Sequence, residues 1–173
     1  MIGTATTATG EHSMVLRRTI RAMAATALLL LLGASQRSAL VDYPEGFRRW
    51  THIKSGVNGP AYGPYEGMYN IYGNAKALRG YRSGRFPDGA MLIFDLHRVR
   101  TESNGPQPAE RKFIDVMQKD ARRFRSTSGW GYEEFAGGDR NNRVIAPDAR
   151  MKRCHSCHVA QQSADSVITR FSD

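Results

Sequence analysis

Both cysteines of this 173-residue chain lie in one short cluster near its carboxyl end, Cys-His-Ser-Cys-His, from Cys154 to His158. If the cluster forms one helical turn, the two thiols share a face and the imidazole of His158 can turn toward the same side. Three chemistries use such a cluster: a thiol–disulfide pair, a zinc site, and covalent attachment of haem. We therefore expect a functional site around this segment, in which the cluster binds a haem, binds zinc or forms a redox-active thiol pair.

Haem attachment is the chemistry that the cluster favours. Each thiol adds across one vinyl group of the porphyrin, and His158 reaches the iron as the proximal ligand. Structural zinc prefers four protein ligands, and the sequence has no second Cys-x-x-Cys or His-x-x-x-His to complete them. A thioredoxin-like pair belongs near a β-α-β pattern, which the sequence lacks. The disulfide interpretation ranks second and zinc third, and His155 is interpreted as a spacer.

The amino-terminal residues are typical of a secretory leader. Three arginines precede an apolar run, namely Arg17, Arg18 and Arg21. The run, from Ala22 to Ala34, has 13 residues. A membrane-spanning helix needs about 20, so the run is interpreted as the apolar part of a signal peptide, with an uncleaved anchor as the alternative. We expect a signal peptide at residues 1–39, with the leader proper from about Met14, and an exported, periplasmic domain at residues 40–173.

The expected mature domain is basic. Removing residues 1–39 takes away four arginines and one glutamate, which lowers the formal net charge from +9 to +6. A basic surface favours acidic redox partners or anionic lipid head groups, or simply keeps the domain soluble. No aromatic–basic repeat or zinc-finger spacing indicates binding to nucleic acid.

The first part of this domain predicts two short helices and a strand. One helix begins near Pro44, and a loop follows from Gly56 to Pro64, where glycine, asparagine and proline cluster. Tyrosine and isoleucine between glycines predict a strand at Gly67–Gly73. Asn74 then suits the N-cap of a helix over Ala75–Ser83.

The second part predicts two strands separated by a helix. The strongest strand runs from Ala90 to His97 and follows a turn. Its apolar face carries Leu92, Phe94 and Leu96. Apolar residues spaced by three or four predict an amphipathic helix from Pro108 to about Arg125. That stripe consists of Phe113, Met117, Ala121 and Phe124. Another strand is predicted from Ser128 to Phe135, so the fold class is α+β, a mostly antiparallel β-sheet with a few packed helices.

A second iron ligand would have to come from upstream, because no Met, His or Cys follows His158. The candidates are Met68, Met91, Met117, Met151, His52 and His97. Each residue of this kind is more often part of a core or surface than an iron ligand. An iron with an open position suits a small neutral ligand such as nitric oxide or carbon monoxide, whereas two strong ligands suit electron transfer.

Three segments carry a resemblance that spans about Tyr43 to Phe171: GNAKALRGYRSGRFPDGAMLIFDL, ERKFIDVMQKDARRFRSTSGWGYEEF and CHSCH. They resemble the cytochrome P-460 family, which includes the cytochromes c′-beta. The resemblance implies a mostly antiparallel β domain, a homodimer, and one covalent c-type haem per chain near the carboxyl terminus. It also implies a periplasmic location.

The resemblance also implies roles for residues on the distal side of the haem. Hydroxylamine-oxidising members carry a lysine, joined to the haem edge, at the place where this chain has Phe94. Phenylalanine cannot form that bond, and the c′-beta members use an aromatic cap there instead. By the same alignment Tyr69 and Gly131 approach the distal side. Glu133, two residues along the strand from Gly131, is then a candidate for proton transfer.

The sequence therefore predicts a periplasmic, dimeric, mono-haem c-type cytochrome that binds nitric oxide or a similar small ligand, or passes electrons to a partner. Its haem-binding residues are Cys154, Cys157, His158, Phe94 and Tyr69. One alternative is an oxidoreductase acting on hydroxylamine or nitric oxide. The other is a Cys-x-x-Cys thiol–disulfide oxidoreductase.

Overall fold

In the computed structural model, residues 40–145 and 149–171 are described, without the side chains of residues 149, 150, 162 and 163. One antiparallel sheet dominates this part of the chain, and each strand pairs with the next along the sequence. The strands are β1 (Thr51–Asn58), β2 (Gly67–Gly73), β3 (Met91–Glu102), β4 (Gly105–Lys119) and β5 (Trp130–Ala136). The α-helices are α1 (Ala75–Ser83) and α2 (Ala149–His158). The predicted α+β class is confirmed, and the expected signal peptide lies outside the described residues.

Strand register divides the side chains of the sheet between two faces, because residues directly opposite each other on neighbouring strands point the same way. The face on which α2 packs, called the α2 face, has three cross-strand rows. They are Gly73–Leu92–Met117–Tyr132, Ile71–Phe94–Asp115–Glu134 and Tyr69–Leu96–Phe113–Ala136. The opposite, N-terminal face has the rows Tyr72–Ile93–Val116–Glu133 and Asn70–Asp95–Ile114–Phe135.

The N-terminal face is covered by the first described residues. Tyr43 meets Phe135 edge-on, with 5.0 Å between ring centroids, and Phe47 meets Tyr72 at 5.7 Å. Phe47 begins a 3-10 helix, Phe47–Arg49, so the helix expected near Pro44 is short and of the tighter type. These buried rings cover the N-terminal face, and α2 packs on the opposite face. Because the sheet is covered on both sides, its central strands carry apolar side chains on both faces.

The predicted helix from Pro108 to about Arg125 is wrong. The structure has β4 there, followed by turns and a 3-10 helix at Arg125–Thr127. A spacing of four residues, as between Phe113 and Met117, returns to the same side in a strand as well as in a helix, so the spacing was ambiguous. Apolar residues between them, including β-branched Val116, line the other covered face.

The predicted loop from Gly56 is also wrong for its first residues, because Gly56 to Asn58 belong to β1. This edge strand is mostly exposed, so it carries no alternating apolar pattern that would reveal it. Glycine is needed at position 56 because a Cβ there would collide with the ring and hydroxyl of Tyr69. The short side chain thus lets Tyr69 lie across β1.

The turn between α1 and β3 forms as predicted, with the N–H of Ala90 donating to the carbonyl of Pro87 at 2.9 Å, and both β2 and α1 have the predicted bounds. The side-chain oxygen of Asn74 accepts hydrogen bonds from the backbone N–H of Ala77 (2.9 Å) and Met91 (3.2 Å). One amide therefore caps α1 and ties it to the start of β3. Among the described residues, no helix combines the length and apolar character needed to span a membrane.

Candidate functional site

Helix α2 presents the two cysteines one turn apart, which confirms the predicted helical turn. Both thiols are free; Cys154 is half-buried and packs against the core, whereas Cys157 is exposed. Burial, with added effects from Asp115 and Glu134, raises the pKa of Cys154 to about 11. A redox-active thiol needs a lowered pKa, so this environment does not favour thiol–disulfide exchange.

His158 is held with one ring nitrogen occupied. Its Nδ1 donates to the backbone carbonyl of Ser166 at 3.0 Å, and the ring of Tyr132 lies 5.1 Å away between centroids. Burial lowers the pKa of His158, which keeps the imidazole neutral. A neutral imidazole that donates through Nδ1 carries its lone pair on Nε2, the arrangement of a histidine ready to bind a metal.

The carbonyl that orients His158 is supplied by the chain after α2. Ser166 has a left-handed backbone conformation, with φ +64°, and its N–H donates to the carbonyl of Gln161 at 3.0 Å. The preceding residue, Asp165, accepts hydrogen bonds from Trp130 Nε1 (2.8 Å) and from Lys119 Nζ (2.7 Å). The tail is therefore fixed to β4 and β5 immediately before it contacts the imidazole.

His155 does more than separate the cysteines. Its Nδ1 lies 3.3 Å from the hydroxyl of Tyr132, and its Nε2 lies 3.3 Å from the hydroxyl of Ser128. These contacts fix α2 to β5 and to the residues just before it. The sequence motif gave no signal for this role, because the role depends on two residues that lie more than 20 positions before His155.

An aromatic wall lies on the α2 face of the sheet. Phe94 stacks on Tyr69 with 5.1 Å between centroids and 25° between planes. Tyr65, from the 3-10 helix Pro60–Tyr65, meets Phe94 at 6.2 Å and Phe113 at 5.5 Å. The structure therefore brings Phe94 and Tyr69 together on the side of the sheet that holds α2. Tyr65 was missed, because it directly follows the predicted loop from Gly56 to Pro64 and belonged to no predicted helix or strand.

Two carboxyl groups lie in the same cross-strand row as Phe94, namely Asp115 and Glu134. Burial raises the pKa of Asp115 well above its usual value, and the charges of Glu134 and Glu133 add to the effect. Burial also raises the pKa of Tyr65. Asp115 lay within the wrongly predicted helix, so the sequence gave no reason to place it beside Phe94.

Glu133 is not part of this arrangement. It lies on the N-terminal face with 3% exposure, accepts a hydrogen bond from Arg143 at 3.0 Å, and accepts another from the N–H of Ile145 at 3.1 Å. Gly131 lies on the same N-terminal face, where a Cβ would collide with the ring of Phe124. The structure thus does not bring Gly131 or Glu133 to Phe94 and Tyr69.

Replacing Glu133 by alanine is expected to lower the free energy of unfolding by about 2–4 kcal/mol, because Arg143 and the Ile145 N–H would lose a buried acceptor. Urea unfolding measures the change. The matched control is Glu102→Ala, which removes an exposed carboxyl paired with Arg100 and should cost less than about 1 kcal/mol. Equal losses in the two variants would contradict a structural role for Glu133.

The six candidates for a second iron ligand are dispersed. His52 contacts the Ser55 hydroxyl at 2.7 Å, and His97 contacts the Ala109 carbonyl at 2.9 Å and Asp95 at 3.1 Å. Met68 and Met91 point toward the N-terminal face, and Met151 is buried within α2. Met117 alone of the six is in a row of the α2 face.

The donor set fits a haem better than it fits the other two chemistries. Two free thiols one helical turn apart, followed by a neutral imidazole with Nε2 available, match covalent attachment with one axial ligand. Within the described residues, no group of three or more His, Cys, Asp or Glu side chains is arranged to hold a metal ion by itself. The raised pKa of Cys154 disfavours a reactive thiolate.

The antiparallel sheet, the Cys-x-x-Cys-His helix and the aromatic wall together define a candidate haem-binding cytochrome. The family model Cytochrome P460 matches residues 44–169, so the chain belongs to the cytochrome P460 family. Comparison with curated proteins gave no match. Family membership confirms the resemblance found in the sequence and indicates a haem cofactor.

Proposed function

We propose that this protein is an exported c-type cytochrome with one covalently attached haem that binds a small neutral ligand such as nitric oxide. The observation that carries the proposal is the state of His158, a neutral imidazole held through Nδ1 by the Ser166 carbonyl with Nε2 left to bind iron. A periplasmic location, a homodimer and an electron-transfer partner are parts of the same proposal.

Each residue of the site has a distinct task in this proposal. Cys154 and Cys157 hold the porphyrin as thioethers, and His158 binds the iron. Phe94 and Tyr69, stacked on the α2 face, restrict the opposite side to small ligands and exclude water. When bound, the haem supplies an iron atom with one position open to a ligand.

The first alternative is an oxidoreductase acting on hydroxylamine or nitric oxide. Phe94 has no amine to join to the haem edge, and Glu133 is engaged by Arg143 on the other face of the sheet. The second alternative, a thiol–disulfide oxidoreductase, is disfavoured by the raised pKa of Cys154. Ligand binding, with or without electron transfer, is therefore the function that the geometry supports best.

The decisive experiment is export of the full chain in cells that attach haem to Cys-x-x-Cys-His proteins. We expect purified protein whose mass is increased by one haem and whose absorption shows a Soret band. The double variant Cys154→Ala/Cys157→Ala should lack both. Colourless wild-type protein with a reducible disulfide would instead support the thiol oxidoreductase.

A second measurement separates ligand binding from catalysis. Titration of the reduced haem protein with nitric oxide should give a saturable change in absorption with one ligand per haem. Hydroxylamine together with an electron acceptor should be consumed no faster than by a control of free haem. Turnover clearly above that control would favour the oxidoreductase.

A further inference from the structure

Asp115 is a half-buried carboxyl group of the sheet, and it differs from the buried Asp95 and Glu133 in having no side-chain partner among the described residues. Asp95 is held by two hydrogen bonds from Arg111, and Glu133 is held by Arg143. Among the described residues, the Asp115 side chain takes part in no hydrogen bond or ion pair, and its pKa is changed by loss of solvation and by neighbouring acids. A half-buried carboxyl group without a side-chain partner has oxygen atoms available to a group that binds beside it on the α2 face.

The position of Asp115 is defined by strand register. It lies directly opposite Phe94 on β3 and directly opposite Glu134 on β5. Opposite residues on neighbouring strands have Cβ atoms about 4.5–5.5 Å apart, so the carboxyl group adjoins the Phe94 ring. Tyr65 contacts Phe94 and Phe113 in edge-to-face geometry, and those two rings flank Asp115. The carboxyl group is thus part of the aromatic wall.

The groups that face Asp115 favour its neutral form. They are Tyr65 from the 3-10 helix Pro60–Tyr65, Cys154 from α2, Glu134 from β5, and Glu133 from the other side of β5. None of these four groups, all from the part of the chain that the structure describes, is a cation. Burial and the neighbouring acids raise the pKa of Asp115 well above its usual value. The direction of this shift favours the carboxylic acid form of Asp115, which has an O–H to donate, over the carboxylate.

We infer that the carboxylic acid of Asp115 donates a hydrogen bond to the ligand bound on the Phe94 side of the haem. This inference rests on the proposed function. Phe94 and Tyr69 limit the size of the ligand, and Asp115 selects among small ligands those with an accepting nitrogen or oxygen atom. Nitric oxide and carbon monoxide both offer such an atom. Asp115 is thus a specificity-determining residue, and it takes over the polar role that the sequence assigned to Glu133.

The test is infrared spectroscopy of the carbon monoxide complex of the reduced haem protein. In wild type we expect a lowered C–O stretching frequency near neutral pH, which rises as pH increases because the acid loses its proton. Asp115→Asn keeps the size and an N–H donor but cannot titrate, so its frequency should not change with pH. Asp115→Leu has no donor, so its frequency should be higher than that of wild type and also independent of pH.

Ligand release gives a second readout. Loss of one hydrogen bond is expected to speed nitric oxide dissociation from Asp115→Leu by about five- to tenfold. Glu102→Gln, an exposed carboxyl at the far end of β3, is the control and should match wild type in both measurements. If Asp115→Leu fails to fold, the pH dependence of Asp115→Asn against wild type decides alone.

The outcomes separate this inference from the proposed function. Protein without haem in wild type would overturn both. Haem-containing protein with the same C–O frequency in wild type and Asp115→Asn at every pH would overturn the inference alone. If Asp115→Leu changed the reduction potential without changing the C–O frequency, the carboxyl group would lie at the haem edge. That result would also overturn the inference.

Discussion

Replacement of His158 by alanine is expected to reduce the haem content of exported protein at least about tenfold, since even partners of metal ligands are worth 10- to 100-fold in affinity. His158 is the iron ligand in the proposed function, and its ring is fixed by the Ser166 carbonyl. The remaining coloured protein should have an altered Soret band because the iron has lost its imidazole. Haem per chain, from absorption and mass, measures the effect.

The chain provides a matched control in His155, the other histidine of the same cluster. Its ring contacts the hydroxyls of Tyr132 and Ser128, so His155→Ala should lower the free energy of unfolding by only about 1 kcal/mol. Its haem content and absorption should equal those of wild type. If instead His155→Ala lost the haem and His158→Ala kept it unchanged, the assignment of the iron ligand would be wrong.

The second large effect is expected from Trp130→Ala, which should lower the free energy of unfolding by about 3–5 kcal/mol. Trp130 has 0% exposure, and its ring packs against Phe86 at 5.5 Å and beneath Lys119 Nζ at 4.8 Å. Its Nε1 also donates to the Asp165 carbonyl, so the change releases the tail that holds His158. Urea unfolding and the Soret band should therefore both change.

Trp50→Ala is the matched control, because Trp50 is half-buried at the edge of the core. Truncating a partly exposed ring removes less buried area, so the loss should be clearly smaller than for Trp130→Ala. Its Soret band should be that of wild type, because no hydrogen bond or ring contact among the described residues joins Trp50 to the tail, and its backbone N–H donates to the Phe47 carbonyl. A Trp130→Ala variant as stable as Trp50→Ala would contradict the anchoring role.

Local chemistry made several features of this protein predictable. The two cysteines and His158 have a spacing that only a helical turn can use, and α2 forms that turn. Asn74 has a side chain suited to capping, and it caps α1. Glycine-bounded aromatic residues predicted β2 with its observed limits. In each case the signal and the structure involve residues within a few positions of each other.

Features that depend on the assembled sheet could not be predicted in this way. The spacing of Phe113 and Met117 suits a helix and a strand equally, and only pairing with β3 and β5 decides for β4. Alternation shows that Gly131 and Glu133 share a face, but it cannot show on which side of the sheet α2 packs. Asp115 became a candidate only when strand register placed it opposite Phe94, and Tyr65 only when its ring was found in contact with Phe94.

The order of elements along the chain has a consequence for biosynthesis. Every strand pairs with its neighbour in sequence, and all of them precede α2. Pairing between sequence neighbours requires only short loop closures, which form early and quickly. A polypeptide emerging amino end first can thus complete its sheet before Cys154 appears. If haem is attached as proposed, an attachment enzyme would reach the thiols before the tail closes around the imidazole, and that closing would be the last step of maturation.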